Sequence, residues 1–253
     1  MSFRPLPALL ALGSFAFLHA SAQTAAPAPS GAASSPLAPA PIVPKAADSK
    51  LTSPADASQS MVADAIKRMN SNDADGALRS LTQAISLNPA STGAYVLRAS
   101  IYSQRHQWKE AEADFIAAQK IAPNNVVLKF QVNEIKFMQK QYDVARPGFV
   151  ALEKDPEMGD FAQYKVFLCD LFGGHEAQAK KELDVFNDAM CNPSYYFSNA
   201  AWSLFHKNIE DARSWLVSAS HIYPVQKFAM YGQSLRDLGY LPIPEPKDGT
   251  AGK

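Results

Sequence analysis

Between about Ser58 and about Leu241 large apolar residues recur three and four positions apart, the helical period. One ladder of positions recurs in the same register three times: Met61, Ala65, Ala77, Leu81, Ala84, Pro89; Tyr95, Ala99, Ala111, Phe115, Ala118, Pro123; and Tyr196, Ala200, Ala212, Leu216, Ala219, Pro224. Each ladder opens with a large residue and an alanine four apart on one helix face. It continues with Ala, a large apolar residue and Ala at steps of four and three, again one face. Alanine allows two helix backbones to approach closely and the large side chain fills the space beside it, so each unit predicts an antiparallel helix pair. The closing proline cannot continue a helix and ends the unit. Prolines 89, 123, 156, 193 and 224 stand 34, 33, 37 and 31 residues apart, a period characteristic of stacked repeats.

The pattern resembles the tetratricopeptide repeat, W-x2-L-G-x2-Y, then A-x3-F, then P over about 34 residues. Tyr95 to Pro123 is the best copy, with Tyr95, Ala99 and Tyr102 in the first helix, Trp108 at the turn and Ala111-x3-Phe115 in the second. The Leu-Gly pair of that pattern becomes Asp64-Ala65, Arg98-Ala99 and Asn199-Ala200, keeping only the small member. The resemblance implies an all-α fold, a right-handed superhelix of about five antiparallel helix pairs with a C-terminal capping helix. The repeats fall at about 58–91, 92–125, 126–157, 158–192 and 193–226, with the cap at 227–239; four repeats and a degenerate insert are the alternative. The third unit reaches its proline one residue early, which leaves its first helix open to a shift of one, and Pro147 is expected in the first turn of its second helix. The fourth carries Phe161, Tyr164, Leu168 and Leu171 on one stripe, a Gly173-Gly174 turn, then Ala179, Leu183, Phe186 and Met190. Phe228, Tyr231, Leu235 and Leu238 form the capping stripe, which stops at Gly239.

The ends change the picture from fold to location. After Arg4 an apolar run of about 11 residues, from Ala8 to Leu18, leads to Ala20-Ser21-Ala22, the form of a secretory signal peptide and shorter than the roughly 20 residues of a spanning helix. Residues 1–22 are therefore expected to be removed, with no membrane span in the mature chain and an exported location, periplasmic or secreted. Residues 23–57, rich in Ala, Pro and Ser, and the tail 242–253 are expected to be disordered. The 24 basic and 24 acidic side chains balance, which gives no reason to expect a nucleic-acid or anionic-membrane partner.

Candidate chemistry adds little. His106, His175, His206 and His221 sit in no HExxH and pair with no cysteine at zinc spacing, and there is no GxSxG elbow, phosphate-binding glycine loop or CxxC, so no metal, cofactor or catalytic residue is expected. Cys169 and Cys191 lie on partner helices at offsets of roughly 18 Å at 1.5 Å per residue, too far for a disulfide. Two separate buried thiols are expected, with intermolecular pairing as the alternative.

The resemblance also implies that the first helices line a concave, ligand-binding face. The candidate partner-binding residues there are Val62, Ile66, Val96, Ser100, Phe130, Glu134, Phe137, Phe197, Ala201 and Leu204, with Met69 and Ser103 beside them. A Lys/Arg/Asn clamp for acidic C-terminal peptides is absent: the matching positions hold Val62, Ile66, Leu97, Val127 and Gln131. An apolar or amphipathic polypeptide segment is the expected ligand, with Phe130 or Phe197 as an aromatic anchor. The function expected is a non-catalytic interaction scaffold of the cell envelope. A structural, self-oligomerising protein whose groove holds a second copy is the alternative, and an enzyme or glycan-binding module finds no carboxylate pair to support it.

Overall fold

A computed structural model describes residues 53–189 and 192–241. The predicted signal peptide, the linker up to residue 52, Met190, Cys191 and the tail from residue 242 lie outside the described residues. Within them the chain is an all-α solenoid of eleven helices. These are α1 (Pro54–Asn70), α2 (Ala74–Leu87), α3 (Thr92–Gln104), α4 (Trp108–Ile121), α5 (Val126–Met138), α6 (Tyr142–Val150), α7 (Gly159–Phe172), α8 (Glu176–Ala189), α9 (Pro193–Phe205), α10 (Ile209–Ile222) and α11 (Val225–Asp237). Each odd-numbered helix from α1 to α9 packs against the next, giving five pairs, and α11 follows alone.

Local sequence explains the boundaries. α1 begins inside the stretch expected to be disordered linker, because Ser53 and Asp56 form a capping box: the Asp56 amide donates to Ser53 Oγ at 3.1 Å and the Ser53 amide to Asp56 Oδ2 at 3.0 Å. Asp73, Asn125 and Asn192 cap α2, α5 and α9 by accepting from Gly76, Leu128 and Tyr195 amides at 2.8, 3.1 and 3.0 Å. The turns inside the pairs share one conformation. Asn72, His106, Lys140, Gly174 and Lys207 all have left-handed φ, between 57° and 87°, and the next amide but one of each closing helix end bonds back five residues, as from Asp73 to Arg68 O at 2.8 Å and Gln107 to Tyr102 O at 2.9 Å. The turn residues at 72, 106, 140 and 174 are evenly spaced, so the third unit stays in register through its first helix.

The ladder packs as its spacing implies. Ala65, Ala77 and Ala84, Ala99, Ala111 and Ala118, and Ala200, Ala212 and Ala219 are all wholly buried. The third unit has Asn133 where its neighbours have alanine, and the facing helix compensates: a Cβ on Gly148 would lie 2.0 Å from Asn133 Oδ1. Pro147 is the sixth residue of α6 rather than in its first turn, since that helix starts at Tyr142; its missing N–H leaves the Asp143 carbonyl without a helical bond, and the helix ends at Val150, passing into turns over 151–154. α7 departs most from an amphipathic stripe. Eleven of its fourteen residues are buried, Val166, Phe167 and Cys169 among them, so both of its faces are covered.

Candidate functional site

The face presented by the first helices divides into two halves. On α1 and α3, Val62, Ile66, Val96 and Ser100 are partly exposed, and Ser100 Oγ donates back to Val96 O at 2.9 Å, leaving these helices an apolar surface with few polar demands. Farther along the solenoid the expectation fails. Phe130, Phe137, Phe197, Ala201 and Leu204 are between 0 and 4 % exposed and belong to one hydrophobic cluster running from Phe130 to Leu235. Phe130 stacks on Phe161 with ring centroids 5.0 Å apart and leans on Phe149 at 5.1 Å, and Phe197 packs against Tyr164, Phe228 and Tyr231. Neither ring is free to anchor a partner. Side chains of α7 fill the space beside α5, and α11 covers α9.

α11 is the element that closes this half. It is more than a cover for the last repeat, because its buried side reaches past α9 to α7. The Tyr231 ring lies 4.7 Å from Phe161, 5.3 Å from Tyr164 and 5.4 Å from Phe197, and its hydroxyl donates to Asp160 Oδ2 at 2.5 Å. Asp160 also accepts from Ser194 Oγ. Burial, together with the negative charge of Asp160, pushes the Tyr231 phenol far above its ordinary range, so it stays a donor.

One turn along, Lys165 has no solvent exposure. Its ammonium pairs with Glu134 Oε1 at 2.6 Å, donates to Ser234 Oγ and sits 4.5 Å from the Phe137 ring centroid. Glu134, expected on an open groove, is instead 16 % exposed and committed to this pair, and its Oε2 has no hydrogen-bond partner among the described residues. Sequence reasoning missed Asp160, Lys165 and Ser234. The signal that could have found them is α7 itself, apolar almost all round, since a solenoid helix without a polar face must be covered on both sides.

Other polar clusters lie between helices. Arg98 makes a two-bond pair with Asp114 at 2.7 and 2.8 Å across α3 and α4. Arg146 holds buried Asp170 at 2.8 and 2.9 Å and also reaches Glu182 at 3.1 Å. Desolvation, with Asp170 beside it, pushes the Glu182 carboxyl up to about 7. His206 bonds Trp202 O at 2.8 Å and Glu176 at 2.9 Å, which raises its pKa. Burial holds the Cys169 thiol far above its ordinary range, unreactive as a nucleophile. No group of His, Cys, Asp and Glu among the described residues is arranged to hold a metal ion, and no described helix is long and apolar enough to cross a membrane.

No family model and no curated protein matches the sequence. Solved structures do resemble the fold. PilW, a widely conserved type IV pilus biogenesis factor, superposes with a TM-score of 0.52 at 18% identity over 73% of this chain and 87% of that one. PilF of Pseudomonas aeruginosa gives 0.51 at 15% identity, covering 75% and 87%, and a double mutant of MamA from RS-1 gives 0.51 at 15%, covering 72% and 97%. With the repeating ladder and the shared turn geometry, these likenesses assign the chain the tetratricopeptide-repeat fold.

Proposed function

We propose that the chain is an interaction scaffold that binds an apolar or amphipathic segment of another polypeptide on the face of its first helices, at the open half formed by α1 and α3. The observation that carries this reading is α11. An amphipathic helix is already seated on the same face two repeats further on, held by buried Tyr231 and Leu235, so the face has the width and chemistry to accept a helix. Val62, Ile66, Met69 and Val96 offer apolar positions left partly exposed by the described residues, and no charged clamp selects for an acidic tail. The scaffold is non-catalytic and works outside the cytoplasm, periplasmic or secreted; the apolar run before Ala20-Ser21-Ala22 supports that location, and the likeness to a pilus biogenesis factor is in keeping with envelope work. The folded unit is the repeat array with α11, released from the signal peptide and tethered by the Ala/Pro/Ser-rich segment.

Site-specific photocrosslinking in the native host tests this. A crosslinker at Val62 or Val96 is expected to trap one and the same foreign polypeptide, and a crosslinker at Val217, exposed on the second helix α10, is expected not to trap it. Capture only of a second copy of the chain would favour a self-assembling protein and overturn the scaffold reading, as would an identical yield at all three positions.

A further inference from the structure

We infer that the covered half of the face is a second helix-binding site, occupied in cis by α11, and that its ligand in trans is an amphipathic helix carrying a tyrosine followed three and four positions later by a small hydroxyl residue and a leucine. The inference deepens the scaffold reading and rests on it. α11 displays the ligand chemistry directly. Tyr231 fills the aromatic recess of Phe161, Tyr164 and Phe197 and supplies a donor to Asp160; Ser234 supplies the acceptor for Lys165; Leu235 is fully buried. The spacing places these three side chains on one helix face. A ligand lacking the two hydroxyls would leave partly buried Asp160 and fully buried Lys165 each short of a bond, a penalty that gives the site its selectivity. Glu134 Oε2 is buried without a hydrogen-bond partner among the described residues, a demand that α11 also leaves unmet.

α11 is lightly held at its start. Its starting residue Pro224 gives no side-chain cap, its first turn has no acidic residue to meet the helix dipole, and Val225, Gln226 and Lys227 are exposed, with Val225 at 79 %. Four of its thirteen residues are buried, none of them among the first six. Its remaining contacts, Phe228 on Phe197 and Tyr240 on Phe172 with Tyr231 between them, all face α7 and α9, and the link to α10 is short, so α11 can leave as one unit without unfolding the repeats beneath it.

The test uses a fluorescent peptide of residues 224–241 and the full chain. The Tyr231→Ala/Leu235→Ala double variant, whose own α11 is weakened, is expected to bind the peptide at least tenfold more tightly than the parent while losing no more helicity than α11 contributes. A peptide with Tyr231→Phe and Ser234→Ala is expected to bind at least tenfold more weakly. Equal affinity of parent and variant overturns the inference, as does collapse of the whole fold in the variant. Hydrogen exchange on the unaltered chain gives an independent reading: amides of α11 are expected to exchange faster than those of α7 and α9, and equal protection overturns the inference. If the variant forms a dimer by exchanging α11 between copies, the occupant is a second copy and the foreign ligand helix is overturned. Ile66→Asp, which disables the open half, leaves peptide binding unchanged, so failure here and failure of the scaffold reading are read separately.

Discussion

Replacing Lys165 by Met tests the covered half of the face most directly. The methionine keeps nearly the volume of the lysine stem, so the change removes charge and hydrogen bonds with little loss of packing. Lys165 is fully buried and its partner Glu134 is 16 % exposed at 2.6 Å, so deleting the ammonium strands a carboxylate in a nearly dry setting. Breaking one side of such a pair costs about 3–5 kcal/mol. Glu134→Leu alone strands the ammonium and costs a similar amount. The double variant buries neither charge and is expected within about 2 kcal/mol of the parent, since an ion pair exchanged for apolar side chains of similar size is close to neutral. Urea unfolding of all four proteins at pH 7, followed by circular dichroism, gives the coupling. A Lys165→Met cost below about 1 kcal/mol, or a double variant that loses the sum of the singles, would refute a buried pair at this position.

Three further outcomes follow from the geometry. Phe130→Ala and Phe197→Ala are expected to destabilise the fold by about 3–5 kcal/mol, because both rings are core; unchanged thermal unfolding together with lost partner binding would return them to an open groove. Lys207→Gly, at φ 62°, is expected to stabilise the chain by up to about 1 kcal/mol in the same unfolding assay, whereas Gly174→Ala, at φ 87°, is expected to cost about that much although nothing lies within 4 Å of the new Cβ. Glu182 holds in the folded state a proton that the unfolded chain gives up at lower pH, so its contribution to stability is lost as pH rises from about 4.5 to about 7; Glu182→Gln is expected to remove that slope and gain at most about 3 kcal/mol at pH 8, and an identical pH profile for both proteins contradicts the assignment.

The paired-helix repeat was legible because it is written in local spacing. Ala111, Phe115 and Ala118 need only a helix and a neighbour four residues away to declare one face, and all three are buried where the ladder puts them. The even turn spacing at 72, 106, 140 and 174 is equally local, although Asn, His and Lys in left-handed turns carry no glycine signature to announce it. The groove was half legible for the opposite reason. Val62 and Val96 are partly exposed because, among the described residues, no later helix returns to cover them, and no spacing rule on α1 or α3 records that. Phe197 and Glu134 are closed by partners 31 to 34 residues away that no helical period connects to them.

That return of the chain changes how the solenoid should behave. In a simple repeat array each unit touches only its neighbours and stability is a sum of units and nearest-neighbour interfaces. Here Asp160 on α7 accepts from Tyr231 and Lys165 donates to Ser234, contacts 71 and 69 residues apart that skip the fifth pair. One hydrophobic cluster consequently spans α5 to α11, while the first two repeats and α5 share two smaller ones built around Leu81 and Phe115. The array is thus unequal along its length: repeats three to five form a block tied by long-range contacts, and repeats one and two form an arm whose open apolar face is attached to that block through Leu128, Val132 and Ile135 of α5. A ligand laid along the first helices would meet both parts, and its length would decide whether it rests on the arm alone or must also take the place of α11.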